Sequence, residues 1–152
     1  NQPLMSSISR LFLLAMLLVL SSAADAVEFI SITSAHATLY DAPSIKGKKL
    51  FIVNRYMPFE VVVNLDLWVK VRDRTGGLYW IEKRDVSFKR YVFAIAPLID
   101  VRKQPEFTAP RVYQVRQQVA LELLEETGTG WIKVRHQDGD IGYVNHTDVW
   151  GD

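Results

Sequence analysis

Cysteine is absent from the 152 residues. That excludes disulfides, thiolate metal sites, a cysteine nucleophile and a lipid anchor on an N-terminal cysteine. Histidine is scarce: His36, His136 and His146 are the whole set, and none stands at a zinc-ligand spacing such as H-E-x-x-H. His136 and His146 share a hairpin of the chain and could approach across it. Neither a G-x-S-x-G elbow nor a phosphate-binding G-x-x-x-x-G-K-[ST] loop occurs, and Asp138-Gly139-Asp140 is too short for a calcium loop. No catalytic residue, metal or cofactor is therefore expected, and the chain is not expected to be an enzyme. An excess of one charge is also missing. Lys plus Arg number 18 against 17 Asp plus Glu, a formal net charge of +1, whereas nucleic-acid affinity rests on clustered cations. A nucleic-acid partner is not expected.

No apolar run is long enough to span a bilayer. Residues 11–20 read LFLLAMLLVL, and a spanning helix needs about 20 apolar residues. Arg10 precedes this run and S-S-A-A-D-A follows it. A basic start, a short apolar stretch and an A-x-A end are the pattern of a secretory signal peptide. With Met5 as the start, residues 1–26 read as that signal, cleaved after Ala26. The mature chain is expected to begin at Val27, to keep no stable membrane span and to be periplasmic or secreted.

What remains is a repeat. Trp68 onward reads WVKVRDRTGGLYWIEKRDV, and Trp131 onward reads WIKVRHQDGDIGYVNHTDV. At this offset of 63, Trp68/Trp131, Lys70/Lys133, Val71/Val134, Arg72/Arg135, Gly76/Gly139, Asp85/Asp148 and Val86/Val149 are identical. The upstream halves agree at an offset of 62, with Met57, Phe59 and Val61 facing Val119, Leu121 and Leu123. The extra residue falls where Thr127-Gly128-Thr129-Gly130 lengthens a loop, the usual place for an insertion. Two copies of one small domain follow, at residues 27–90 and 91–152.

The pattern inside each copy is β. Phe59, Val61 and Val63 alternate with more polar partners, and so do Val69 and Val71, the period of half-buried strands. Thr75-Gly76-Gly77 and Asp138-Gly139-Asp140 supply hairpin turns. Residues 111–126 could be taken for a helix, but their counterpart at 49–64 contains Pro58, which a helix interior does not tolerate. The sequence thus predicts an all-β chain: two tandem barrels of about five short strands, packed together because a domain of about sixty residues is only marginally stable alone. The apolar run Tyr91-Val92-Phe93-Ala94-Ile95-Ala96 reads as the last strand of one barrel running into the first of the next.

These residues resemble the bacterial SH3-like (SH3b) domain family. Val101-Arg102-Lys103-Gln104-Pro105 fits its opening motif, Met57-Pro58-Phe59-Glu60-Val61 and Trp68-Val69-Lys70-Val71-Arg72-Asp73 its middle, and Asp138-Gly139-Asp140-Ile141-Gly142-Tyr143-Val144 its end. The first copy departs from the pattern at Tyr40, where the opening Arg belongs, and at Tyr79, where Gly-Trp becomes Tyr79-Trp80. Ala37-Thr38-Leu39-Tyr40-Asp41 also looks like a eukaryotic SH3 motif. The basic loop that follows it, Ser44-Ile45-Lys46-Gly47-Lys48-Lys49, argues against that domain's proline-rich ligands.

If the hairpin turn pairs Lys70 with Trp80, one strand face carries Trp68, Lys70, Arg72, Leu78 and Trp80. The second copy repeats it with Trp131, Lys133, Arg135, Ile141 and Tyr143. Aromatic rings interleaved with cations suit sugars, amides and peptide backbones. The same residues also serve a purely structural reading, with Lys and Arg stems covering Trp rings. Tyr79 joins the candidate ligand set as the departure beside Trp80. The resemblance implies a non-catalytic binding module of the cell envelope, with a cell-wall component such as peptidoglycan, or an envelope protein or peptide, as partner. The alternative is a structural docking module for another envelope protein, with no small ligand.

Overall fold

A computed structural model describes residues 26–152; the signal peptide expected at 1–26 lies outside the described residues apart from Ala26. The chain is almost wholly β. The first copy contributes β1 (Phe29–Ile32), β2 (His36–Tyr40), β3 (Lys49–Asn54), β4 (Pro58–Asn64), β5 (Trp68–Arg72), β6 (Leu78–Glu82) and β7 (Val86–Ser87). The second contributes β8 (Tyr91–Ala94), β9 (Leu98–Arg102), β10 (Arg111–Arg116), β11 (Ala120–Glu126), β12 (Trp131–Arg135), β13 (Ile141–Asn145) and β14 (Val149–Trp150). A single 3-10 turn precedes the last strand of each copy, at Lys83–Asp85 and His146–Asp148.

The two sheets have one topology. The first runs β3-β2-β6-β5-β4-β1-β7 and the second β10-β9-β13-β12-β11-β8-β14. Each sheet wraps on itself. Ile30 and Ile32 of β1 meet Ala37 and Leu39 of β2 in one core with Phe59, Val69, Val71 and Ile81, although β1 and β2 are not neighbours in the sheet. Val92, Val101, Leu121, Ile132, Val134 and Val144 form the matching core of the second copy. The period-two pattern drives this closure, because alternate side chains of a strand face one way. Val69 and Val71 are buried, while Trp68, Lys70 and Arg72 between them are half exposed.

Residues 111–126 form β10 and β11, and Pro58 opens β4 as a buried strand residue, so the repeat argument against a helix holds. Gly76 and Gly139 both take positive φ, 92° and 93°, at the hairpin turns, a conformation that glycine reaches without strain.

Two expectations need correction. Each copy has seven strands rather than five, because the short β1 and β7 pair with each other and β1 also pairs with β4. The apolar run at 91–96 does not serve both barrels. Tyr91–Ala94 pairs only with β11 and β14 of its own sheet, and the first sheet ends at Ser87. The hydrophobicity of that run reflects burial of Val92 and Ala94 in the second core.

The copies are packed together by aromatic side chains. Trp150 stands edge-on to Phe29 at 5.3 Å and to Phe93 at 5.9 Å, and Tyr56 stacks on Tyr91 at 4.6 Å. Arg90 lies between the sheets. Its guanidinium sits 5.1 Å from the Phe29 ring centre and donates to the Gly151 carbonyl at 2.8 Å.

Candidate functional site

The β5–β6 hairpin pairs Lys70 with Trp80, and the β12–β13 hairpin pairs Lys133 with Tyr143. These registers put Lys70 beside Trp80 and Lys133 beside Tyr143 on one strand face of each copy. The Lys70 ammonium lies 5.9 Å from the Trp80 ring centre, within cation–π range. Arg72 reaches across to Glu60 of β4 at 3.2 Å. Arg135 makes the corresponding approach to Glu122 at 3.6 Å. Both arginines are thus engaged in ion pairs within the sheet.

Trp68 has a different setting. It opens β5 directly after the β4–β5 loop, and Tyr40 supports its indole edge-on at 5.3 Å. Beside it is an open cleft of about 660 Å³, bounded by residues 43–45, 66–68 and 82–84. Three segments make this cleft: the loop after β2, the loop before β5 and the 3-10 turn after β6. Ile45 and Leu67 are 68% and 72% exposed at its rim, so the cleft has an apolar lip. Its charged groups are partly engaged already, with Arg84 on Glu82 at 3.2 Å and the Lys83 ammonium on the Leu65 carbonyl at 2.8 Å.

The second copy closes the same place. Phe107 stands at the position of Ile45, and its ring meets Trp131 at 4.9 Å. Trp131 is 8% exposed, and it is bordered by two smaller hollows, of about 190 and 260 Å³. The Trp131 side chain is therefore mostly covered, whereas Trp68 is a cleft wall. The repeat makes these two residues look equivalent; the flanking loops separate them, with Phe107 in place of Ile45 and Gly130 in place of Leu67.

Tyr79 is not on the face of Trp80. Strand alternation turns it the other way, against Phe51 at 5.6 Å. Burial first, and then the nearby Asp73 carboxylate, raise its phenol above the ordinary tyrosine value. Its counterpart Gly142 has no room for a side chain: a Cβ there would lie 2.6 Å from Val101 Cγ1 and 2.8 Å from the Arg102 carbonyl oxygen. Tyr79 lines a second cleft, of about 390 Å³, that lies between the two copies and includes Phe51, Phe93 and Trp150. Sequence reasoning missed that cleft. The available signal was a difference rather than a likeness. Ser31 pairs with Ser87 in the first sheet, and Phe93 with Trp150 at the same place in the second.

His136 and His146 do not come together. Their hairpin pairs Arg135 with Ile141 and Trp131 with Asn145, so the two histidines stand at opposite ends of it. His136 contacts Asp138 at 3.2 Å and the Tyr113 ring at 5.5 Å. Among the described residues, no group of three or more His, Asp or Glu is arranged to hold a metal.

Two wrapped seven-stranded sheets of one topology define a tandem of small SH3-like β domains. The comparisons give the family. One bacterial SH3 domain family matches residues 33–87 and a second matches residues 98–149; the chain belongs to the bacterial SH3 domains and carries the domain twice. No curated protein matches the sequence. Among solved structures it is similar to NlpC1 from Trichomonas vaginalis, with 14% identity over 87% of this chain and 48% of that one and a TM-score of 0.39. NlpC2 from the same organism matches at 11% identity over 83% and 48% of the two chains, TM-score 0.39. An NlpC/P60 family protein from Bacillus cereus matches at 16% identity over 81% and 56%, TM-score 0.39. The chain thus spans about half the length of these proteins.

Proposed function

We propose that this chain is an exported, non-catalytic binding module that captures a cell-envelope component, peptidoglycan or an envelope peptide, in the first-copy cleft beside Trp68. The domains are residues 27–90 and 91–152, the second serving chiefly as a support packed against the first. The observation that carries this reading is the contrast between the copies. One tryptophan of the repeat walls an open cleft of about 660 Å³, and the other lies under Phe107.

The chemistry of the cleft suits a ligand with both apolar and polar parts. An indole face offers stacking area at little conformational cost, Ile45 and Leu67 add an apolar lip, and Asp66, Glu82 and Arg84 supply polar contacts at the margin. Lys70 and Trp80 extend this surface along the hairpin. Export is supported by Arg10, the apolar run at 11–20 and Ala24-Asp25-Ala26.

Intrinsic tryptophan fluorescence titrated with soluble peptidoglycan fragments tests the site. Wild-type emission should change saturably. The Trp68→Phe variant, which keeps a ring against Tyr40, should lose most of that change. A full response in Trp68→Phe would place the ligand elsewhere.

A further inference from the structure

β3 is the terminal strand of the first sheet and pairs only with β2. A terminal strand presents unpaired backbone donors and acceptors, and proteins usually protect such an edge with charges or irregular pairing. Both edge strands carry a register shift, but only the second copy adds polar guards along the strand. Its terminal strand β10 reads RVYQVR. Gln114 and Arg111 of that strand are tied to Asp100 at 2.8 and 3.6 Å, and the Tyr113 hydroxyl donates to the Asp140 carbonyl at 3.3 Å. The first copy has KLFIVN at the same place. Phe51 is 56% exposed and Ile52 73% exposed, so four consecutive apolar residues form an edge without a charged guard among them.

Two further features mark this edge. Phe51 and Ile52 border the cleft between the copies, with Phe93 and Trp150 of the second sheet also lining it. The chain on either side is basic. Lys46, Lys48 and Lys49 precede the apolar stretch and Arg55 follows it, all four exposed; among the described residues none of them is in an ion pair. Pairing β3 with β3 of a second copy in antiparallel register would bring the lysines of each chain toward Arg55 of the other, and like charges oppose it. The same charges favour an extended segment with carboxylates at both ends.

We propose that the outer edge of β3 takes up an extended strand of a partner protein, apolar at alternate positions and acidic at both ends, with one apolar side chain entering the cleft between the copies. Main-chain hydrogen bonds to the edge would provide affinity, the cleft would select the inserted side chain and the lysines would set the preference for acidic flanks. This surface is separate from the Trp68 cleft.

The test uses the full chain and two labelled peptides, EEVTVTVEE and KKVTVTVKK. Fluorescence anisotropy should show the acidic peptide bound at least about tenfold more tightly than the basic one. Amide hydrogen exchange should slow at residues 49–54 when it binds. Ile52→Lys, which adds a guard charge at an exposed position, should weaken binding at least about tenfold while leaving the thermal melt in place. Lys46→Glu combined with Lys48→Glu balances the two remaining cations, Lys49 and Arg55, and should abolish the preference. Equal binding of the two peptides, unchanged exchange at 49–54, or no measurable binding of either would overturn the proposal. So would a dimer of the free chain in light scattering that Ile52→Lys disperses, since the occupant of the edge would then be a second copy.

Discussion

Trp150 meets the ring of Phe29 edge-on at 5.3 Å, joining the last strand of the second sheet to the first strand of the first. Trp150 also pairs across strands with Phe93, where the first copy has only Ser31 and Ser87. The duplicated domain thus acquired an aromatic face in one copy alone, and that face holds the copies together. An aromatic pair contributes about 0.5–1.5 kcal/mol beyond its area burial. Trp150→Ala removes two such pairs, about 1–3 kcal/mol on top of the apolar burial lost with the indole. Calorimetry should show a single unfolding transition in the wild type and two separate transitions in the variant. A single unchanged transition would mean that the copies are coupled by other contacts.

Phe107 is expected to decide how many ligands the tandem binds. The wild type should bind one ligand per chain, in the first-copy cleft. Phe107→Ala should uncover Trp131 and raise the stoichiometry toward two in isothermal titration with peptidoglycan fragments. Because Phe107 is 68% exposed, the substitution should cost little stability apart from its contact with Trp131. A stoichiometry still at one, with Trp131 accessible to a fluorescence quencher, would show that the second cleft lacks ligand chemistry.

Tyr113 gives the chain a defined alkaline response. Burial, reinforced by the Asp140 carboxylate, pushes its phenol up to about 12, against about 10 for an ordinary tyrosine. The folded state therefore keeps this proton while the unfolded state releases it. Its contribution to stability is present in full below about pH 10 and declines as the pH rises toward about 12. Ultraviolet titration should show Tyr113 as the last phenolate to form, with Tyr79 also shifted upward, and Tyr113→Phe should remove that last step. An early, unshifted titration of all six tyrosines would contradict the buried setting.

The fold was legible because the repeat supplied each segment twice. Pro58 settled residues 111–126 as strands through the alignment of copies, where periodicity alone was ambiguous. The Lys70–Trp80 pairing was open in the sequence, conditional on where the turn around Gly76 falls, and the hairpin realises it. The site was less legible, for a physical reason. Trp68 and Trp131 occupy equivalent strand positions, and their difference comes from Ile45 against Phe107 and Leu67 against Gly130, loop residues with no periodic signal. Tyr79 was grouped with its neighbour Trp80, although strand alternation puts adjacent residues on opposite faces. The cleft between the copies depends on how two sheets dock, and it was signalled only by positions where the repeat fails, Ser31 against Phe93 and Ser87 against Trp150.

The open cleft beside Trp68 is proposed to hold an envelope ligand. Co-sedimentation with insoluble peptidoglycan, run beside a thermal melt of the same samples, tests it most directly. The wild type should pellet. Trp68→Ala should stay in the supernatant and still melt cooperatively, because Trp68 is a partly buried cleft wall outside the core cluster. Trp80→Ala with Tyr143→Ala should weaken pelleting less, since these rings border the cationic face and not the cleft. A wild type that remains in the supernatant, or a folded Trp68→Ala that pellets as fully as the wild type, would contradict the account.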